Sequence, residues 1–288
     1  MDVTDSQVER WLREDVGHHD VTNEVPGETT GRLVATEAGT VAALSAAAAV
    51  FEYLDCSVTF PLGGAGERVL GQPRPEIEAA TGTGRAVDPE TTVLRVEGAA
   101  RDVLRGERVA VNLVAHASGI ATRTRAAVDA ARAVSENVRI AGTRKTTPGL
   151  RGVEKRAIAA GGGDTHRLDL SHMAMVKDNH VAELGLEGAI EHVRERVSFA
   201  TKIEAEVEDP ADGARVAAAG ADVVLFDNLD PAAVERGVEG LPADTIAEAS
   251  GGITLETVPD YAATGVDVVS LGSLTHSAPA LDFSFRTD

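Results

Sequence analysis

Hydrophobic and polar positions fall into two regimes along the chain. From Val138 onward, short apolar runs recur at Val138–Ala141, Met173–Val176, Lys202–Val207, Asp222–Phe226, Thr245–Ala249 and Asp267–Leu271. The last four begin at residues 202, 222, 245 and 267, which are intervals of 20, 23 and 22. Helix-like segments such as DPADGARVAAAG and ITLETVPDYAATG lie between them. Strand then helix at this spacing predicts a parallel sheet with crossover helices. No charge-rich edge strand interrupts the series, so the pattern favours a closed α/β barrel over an open doubly wound sheet.

The first hundred residues are less regular. SQVERWLREDVGHHDVTNEV predicts a helix with Val8, Trp11 and Leu12 on one face, then a glycine-broken turn. Gly31–Gly39 has the pattern of a strand, Val41–Leu54 that of an Ala-rich buried helix, and Thr92–Val96 alternates as a strand does. Pro61–Thr83 is rich in Gly and Pro and predicts a loop or irregular hairpin. Together these make a mixed α/β unit. Gly106–Arg132 then forms one long helical pattern with a possible break at Gly119.

Polar residues cluster where the later strands end. RIAG leads into Thr143-Arg144-Lys145, MAMV into Lys177-Asp178-Asn179, and KIEA into Glu206. VVLF leads into Asp227-Asn228, TIAEA into Ser250-Gly251-Gly252, and VVSL into Gly272-Ser273. In α/β barrels the active site lies at these C-terminal strand ends. The last two clusters are either simple glycine turns or a phosphate site built from backbone N–H groups, and their place after the final strands favours phosphate. Glu204, Glu206 and Glu208 share one strand face by alternation, and chemistry alone does not say which of them works. Facing carboxylates on neighbouring strands, such as Glu206 and Asp227, suit Mg²⁺, which takes few carboxylates plus phosphate oxygens.

Charge sharpens this picture. The chain has 288 residues, ample for one large or two medium domains, and 46 acidic against 27 basic side chains give a net charge of -19. Such a balance excludes non-specific nucleic-acid binding, which needs a basic footprint. Lysine occurs only at positions 145, 155, 177 and 202. An acidic, lysine-poor composition is the expectation for a salt-rich cytoplasm. Against this background, Gly142–His180 concentrates Arg144, Lys145, Arg151, Arg167 and Lys177 with His166, His172 and His180. Clustered positive charge in a cleft focuses field on an anionic ligand. Converging guanidinium forks suit a ligand with more than one carboxylate, whereas compact ammonium groups suit a diphosphate. Gly161–Gly163 is no P-loop, since no GK[ST] follows, and is taken as a turn.

Other features carry bland readings. Cys56 is alone, which excludes an internal disulfide, fits a reducing cytoplasm, and is taken as a buried thiol rather than a nucleophile. His18 and His19 have no Cys or third His nearby and are taken as surface residues. The longest apolar run, Val41–Leu54, is too short to span a membrane, and no secretory signal is visible.

The segments GTRKTTPGLRGVEKRAIAAGGGDTHRL, MVKDNH, EAEVE, FDNL, SGGITLETV and YAATGVDVVSLGSLTHSAPALD, with ERVAVNLVAHASGIAT upstream, resemble the quinolinate phosphoribosyltransferase family. The similarity runs from EDVGHHDVT to the C-terminus, and TRKTTPGLR and VKDNH are its most specific parts. Departures are modest: Gly142 and His19 differ from the residues usual in the family, and the Pro61–Thr83 region is longer.

The resemblance implies an N-terminal α/β sandwich over residues 1–108, to which residues 276–288 return, and a C-terminal incomplete α/β (TIM-like) barrel over 109–275. It implies a homodimer that can assemble further, located in the cytoplasm. The implied reaction joins quinolinate to 5-phosphoribosyl 1-pyrophosphate with loss of CO₂ and a requirement for Mg²⁺, in NAD synthesis. On this resemblance Arg144, His166 and Arg167, next to Thr143, hold the two quinolinate carboxylates, and Arg108 is contributed to the neighbouring subunit's site. Lys145 and Lys177 stand between quinolinate and the pyrophosphate donor. Glu206 and Asp227 engage ribose and Mg²⁺, while Ser250, Gly251, Gly252, Leu271, Gly272 and Ser273 hold the 5-phosphate. Rival readings are a related phosphoribosyltransferase acting on another acid and a catalytically silent barrel used as a scaffold. The populated strand ends speak against the second.

Overall fold

The computed structural model describes residues 3–63 and 81–287, and the chain falls into two compact units. The first comprises Met1–Arg123, Gly152–Gly162 and Ala278–Asp288; the second comprises Thr124–Arg151 and Gly163–Ser277. Most of the region expected as a loop at Pro61–Thr83 lies outside the described residues.

In the first unit the opening helix spans Asp5–Val16 and buries Val8 and Leu12. An antiparallel sheet follows, built from β1 (Glu28–Ala35), β3 (Ser57–Thr59), β5 (Thr92–Ala99) and β12 (Phe283–Thr287) in the order β12-β1-β5-β3. The short β2 (Gly39–Thr40) and β4 (Ala86–Val87) form a separate pair. The C-terminal β12 lies along β1, with Gly31 opposite Thr287 and Ala35 opposite Phe283. The helix Leu44–Tyr53 buries Leu44, Ala47 and Phe51 against this sheet's core, as its Ala-rich apolar text requires. Truncating the fully buried Phe51 would cost about 3–5 kcal/mol.

The long helix runs unbroken from Ala100 to Arg132, so the break expected at Gly119 does not occur. Gly119 is instead a point of close approach. A Cβ there would overlap the Pro279 carbonyl oxygen and sit 3.0 Å from the Ala280 Cα. This helix contains both the expected domain boundary after residue 108 and the observed change of unit after Arg123.

The second unit holds six strands: β6 (Arg139–Ala141), β7 (Ala174–Val176), β8 (Ile203–Val207), β9 (Val223–Asp227), β10 (Ile246–Ser250) and β11 (Val268–Ser270). They pair in parallel in the order β6-β11-β10-β9-β8-β7. The sheet is therefore not closed among the described residues, which corrects the closed barrel expected from periodicity alone. Between β6 and β7 the chain spends its residues on a polar loop, the helix Arg151–Ala160 and a glycine turn. Among the described residues, one parallel bridge, Ala141 to Asp164, joins β6 on its free side. The incomplete barrel implied by the resemblance is what forms.

Alternation along these strands sorts the side chains. Ile203, Ala205, Val207, Val224, Phe226, Ala247, Ala249 and Val269 enter one apolar core with residues of the covering helices. Glu204, Glu206, Asp227, Glu248 and Ser250 occupy the opposite strand face by the same period of two. A parallel sheet covered on one face by helices thus keeps its polar set for its other face.

Candidate active site

Strand ends of the second unit bring most of the expected residues together. Thr143, Arg144 and Lys145 follow β6; the Thr143 hydroxyl accepts the Lys145 N–H at 3.0 Å, and Thr275 Oγ1 donates to the Lys145 carbonyl at 2.6 Å. These bonds fix the backbone while no hydrogen bond or ion pair engages the Lys145 side chain among the described residues. Arg144 is half-buried, and its Nε is buried without a hydrogen-bond partner among them. Arg167 is 8% exposed, sends Nη2 to the Met175 sulfur at 2.8 Å, and stands close enough to Arg144 for their charges to repel. Burial above all, then that repulsion, lowers the Arg167 pKa, with Glu204 and Glu248 opposing the change. Two guanidinium groups this close can engage one ligand that carries more than one negative group.

Lys177 ends β7 and is ion-paired to Glu206, which projects from β8 beside it. Asp227, at the end of β9, has a raised pKa because burial and the neighbouring Glu206 charge disfavour its ionised form; Lys177 opposes this. Asn228 takes a left-handed φ of 54° and donates from Nδ2 to Asp227 at 2.7 Å. After β10, Gly251 has φ of 92°, and a Cβ there would overlap Asn228 Oδ1 and lie 2.7 Å from the Asn228 N. After β11, a Cβ on Gly272 would come within 2.9 Å of Lys145 Cδ and 3.1 Å of His276 Nε2. The Ser273 hydroxyl is buried without a hydrogen-bond partner among the described residues. Leu271 buries its side chain in the core and donates its N–H to the Ala141 carbonyl at 2.9 Å, so it shapes the loop rather than offering a donor.

The three histidines of the basic stretch separate. His172 and His180 cap backbone, accepting the Leu168 and Lys177 N–H groups at 3.1 Å each. His166 sits inward. Its φ is 51°, its N–H is held by Asp164 Oδ1 at 2.8 Å, and its Nε2 lies 3.1 Å from Glu248 Oε2 and 3.5 Å from Glu204 Oε2. Glu204 is fully buried and its pKa is pushed up to about 8, chiefly by burial and then by Glu248, with His166, Arg167 and Lys177 pulling the other way. The structure thus divides the EAEVE run: Glu204 supports His166, Glu206 pairs with Lys177, and Glu208 is exposed. Glu248 was not anticipated. Its only sequence signal was its place at the third, central position of a mostly apolar strand.

A cavity of about 660 Å³ in this unit is lined mainly by strand-start residues such as Arg139, Lys202, Val223 and Ile246. It touches His166, Arg167 and Glu248 but none of Lys145, Lys177, Glu206 or Asp227. We place the chemistry at the strand C-termini because the ionisable groups gather there.

Four expected or considered residues belong to the first unit. Arg108 belongs to the first unit, on the long helix, with its side chain 60% exposed and Glu107 at 3.8 Å. Cys56 is buried, and its thiol is pushed up to about 11, chiefly by burial, so it is no nucleophile. His18 and His19 are exposed.

Two family models cover the chain: the quinolinate phosphoribosyl transferase N-terminal domain matches residues 19–118, and the C-terminal domain matches residues 120–286. The chain belongs to the quinolinate phosphoribosyltransferase family. It is 42% identical to a probable carboxylating nicotinate-nucleotide pyrophosphorylase of Methanothermobacter thermautotrophicus, across 97% of each chain. It is 40% identical to the human carboxylating nicotinate-nucleotide pyrophosphorylase, over 97% of this chain and 90% of that one. The crystal structure of NadC from Streptococcus pyogenes superposes with a TM-score of 0.87 at 34% identity, covering 99% of this chain and 98% of that one. Two-domain α/β architecture is therefore a property of the family as well as of this chain.

Proposed function

We propose that this chain is a carboxylating nicotinate-nucleotide pyrophosphorylase in NAD biosynthesis. It joins quinolinate to 5-phosphoribosyl 1-pyrophosphate, releasing pyrophosphate, CO₂ and nicotinate mononucleotide. Supporting this are the named activity of relatives matched over nearly the full chain and, above all, the juxtaposition of unpaired Arg144 with Arg167 and His166. A single carboxylate has no use for so many cations. A dicarboxylate engages both forks at once.

The chemistry follows from charge. As pyrophosphate departs, the ribose becomes oxocarbenium-like, so rate comes from positioning and from stabilising separated charges. Arg144, Arg167 and His166 clamp the two carboxylates and thereby aim the ring nitrogen at the anomeric carbon. Lys145 and Lys177 neutralise the leaving diphosphate as compact point charges. Glu206 and Asp227 face the ribose, where negative charge stabilises the developing cation. The loops Ser250–Gly252 and Leu271–Ser273 face the 5-phosphate, Gly251, Gly252, Gly272 and Ser273 with backbone N–H groups and Ser273 with a buried hydroxyl, while the Leu271 N–H is held by the Ala141 carbonyl. Once the ring nitrogen is quaternary it accepts the electrons released by decarboxylation, and no organic cofactor is needed.

Glu206 and Asp227 also fit Mg²⁺. They lie on neighbouring strands, and the repulsion that raises the Asp227 pKa is what a divalent cation between them would relieve. Bound there mainly through substrate oxygens, Mg²⁺ would offset charge on the diphosphate. We further assign a homodimer in which the exposed Arg108 serves the neighbouring subunit's site, open to higher assembly, and a cytoplasmic location suited to a lone thiol. Among the described residues no helix is long and apolar enough to cross a membrane.

The test is product formation from quinolinate and the phosphoribosyl donor. Robust turnover of nicotinate with none of quinolinate would sink the assignment.

A further inference from the structure

We propose that Glu204 and Glu248 are positioning residues that hold the His166 imidazole, and through it the dicarboxylate clamp, in its binding geometry. The proposal rests on the quinolinate reading above and deepens it.

The two acids come from strands separated by β9, with Glu204 opposite Val223 and Glu248 opposite Leu225 in the ladder. Both side chains cross the inner face toward the same atom, His166 Nε2, at 3.5 and 3.1 Å. The side chains are buried, 0% exposed for Glu204 and 3% for Glu248. Among the described residues, neither Glu204 oxygen nor Glu248 Oε1 accepts a hydrogen bond. Burying a carboxylate so sparsely bonded is costly, so a fold that keeps two of them beside one imidazole spends stability there. They do not serve packing, because the sheet's other face carries the core.

Geometry says what is gained. Glu248 Oε2 is the hydrogen-bond partner of Nε2 at 3.1 Å, and the Glu204 carboxyl at 3.5 Å closes its other side, so the ring plane is held between two strands. His166 needs such help because its backbone sits at φ of 51°, outside the region ordinary residues prefer, two residues beyond the Ala141–Asp164 bridge. The next residue, Arg167, is steadied in the same field, since Glu204 and Glu248 both favour its charged form. Removing the acids would let the imidazole turn and loosen the site most for a ligand that needs both carboxylates gripped.

Glu248→Gln and Glu204→Gln preserve shape while weakening the acceptors. We expect each to raise the KM for quinolinate about tenfold, with kcat changed less than threefold and the KM for the phosphoribosyl donor unchanged. Melting temperatures should hold or rise. In a His166→Ala background the same Glu248→Gln change should have no further effect on KM, because its action passes through the imidazole. An unchanged quinolinate KM in the single variants, or additive losses in the double variant, would overturn the proposal. So would one equivalent of Mn²⁺ or Zn²⁺ retained by the parent protein after dialysis and lost in Glu248→Gln, which would make these groups metal ligands. Absence of quinolinate turnover in the parent protein refutes the activity itself, an outcome distinct from all of these.

Discussion

Replacing Arg144 with Ala should weaken substrate binding and leave the fold as stable or more so. The opposed signs are what make the substitution informative. In the free protein the Arg144 guanidinium has a buried Nε with no hydrogen-bond partner and a like-charged neighbour in Arg167. Leaving a buried donor unpaired costs roughly 1–3 kcal/mol. Truncation relieves that cost and the repulsion, while losing the packing of a half-buried aliphatic stem. The balance is a gain of up to about 1 kcal/mol, or a rise of roughly 2–4 °C in melting temperature for a domain of this size. Binding goes the other way. Each charge-assisted hydrogen bond to a carboxylate contributes about 1.5–3 kcal/mol, so losing a bidentate pair costs at least about 3 kcal/mol. That is roughly a 100-fold or greater rise in Kd.

Calorimetric titration with quinolinate, alongside thermal melts of the free protein, measures both terms on one sample. A structural arginine would show the reverse: a fall in melting temperature with affinity intact. That result would refute the assignment of Arg144 to the ligand and return it to the commonest role of arginine, a salt-bridge partner within the fold.

Four further outcomes follow from the same geometry. Lys145→Ala should lower kcat with little change in quinolinate affinity, because no hydrogen bond or ion pair engages the ammonium among the described residues; steady-state kinetics with an unaltered kcat would contradict this. Gly251→Ala should destabilise by at least about 1–3 kcal/mol, from φ of 92° and the overlap with Asn228, and should raise the KM for the phosphoribosyl donor; a melt unchanged from the parent would refute the required backbone. The Glu204 carboxyl is raised from 4.5 to about 8 on folding, so the folded state binds the extra proton between those values and stability should fall as pH rises from about 4.5 to 8, then level; melts of Glu204→Gln should lose that slope, and identical slopes would count against it. With 46 acidic and 27 basic residues, refolding yield and activity should rise in molar KCl, and equal stability without salt would refute a salt-adapted surface.

Much of the barrel unit was legible because its strands are short, apolar and evenly spaced. The six runs marked from sequence all became β6–β11, within a residue or two at each end. What periodicity could not supply was closure. Whether β6 meets β7 depends on how the loop between them spends its residues, and local text says nothing about that. Gly119 shows a similar limit. A glycine in a helix can mark a break or a close contact, and only the Pro279 backbone against it decides. At the site, the cations were legible because they stand out in an acidic chain, but their supports were not. Glu248 is one more glutamate among many until its strand face is known, and Glu204 could not be told from Glu206 because both share that face.

Those hidden acids bear on how so many cations can be packed into one strand-end cluster. Arg144 and Arg167 repel each other when no substrate is bound, His166 and Lys177 join the same cluster, and a protein made only of such groups would open. Each except Arg144 has an acid beside it: Glu206 beside Lys177, Glu248 and Glu204 beside His166, and the same two in the field of Arg167. The acids lower the cost of the free state. On the proposed reading, Arg144 and Lys145 are left to the ligand, one as a fork for a carboxylate and one as a point charge for phosphate. On this account the cluster is divided between groups that the fold neutralises and groups that only a substrate can, and selectivity resides mainly in the second kind.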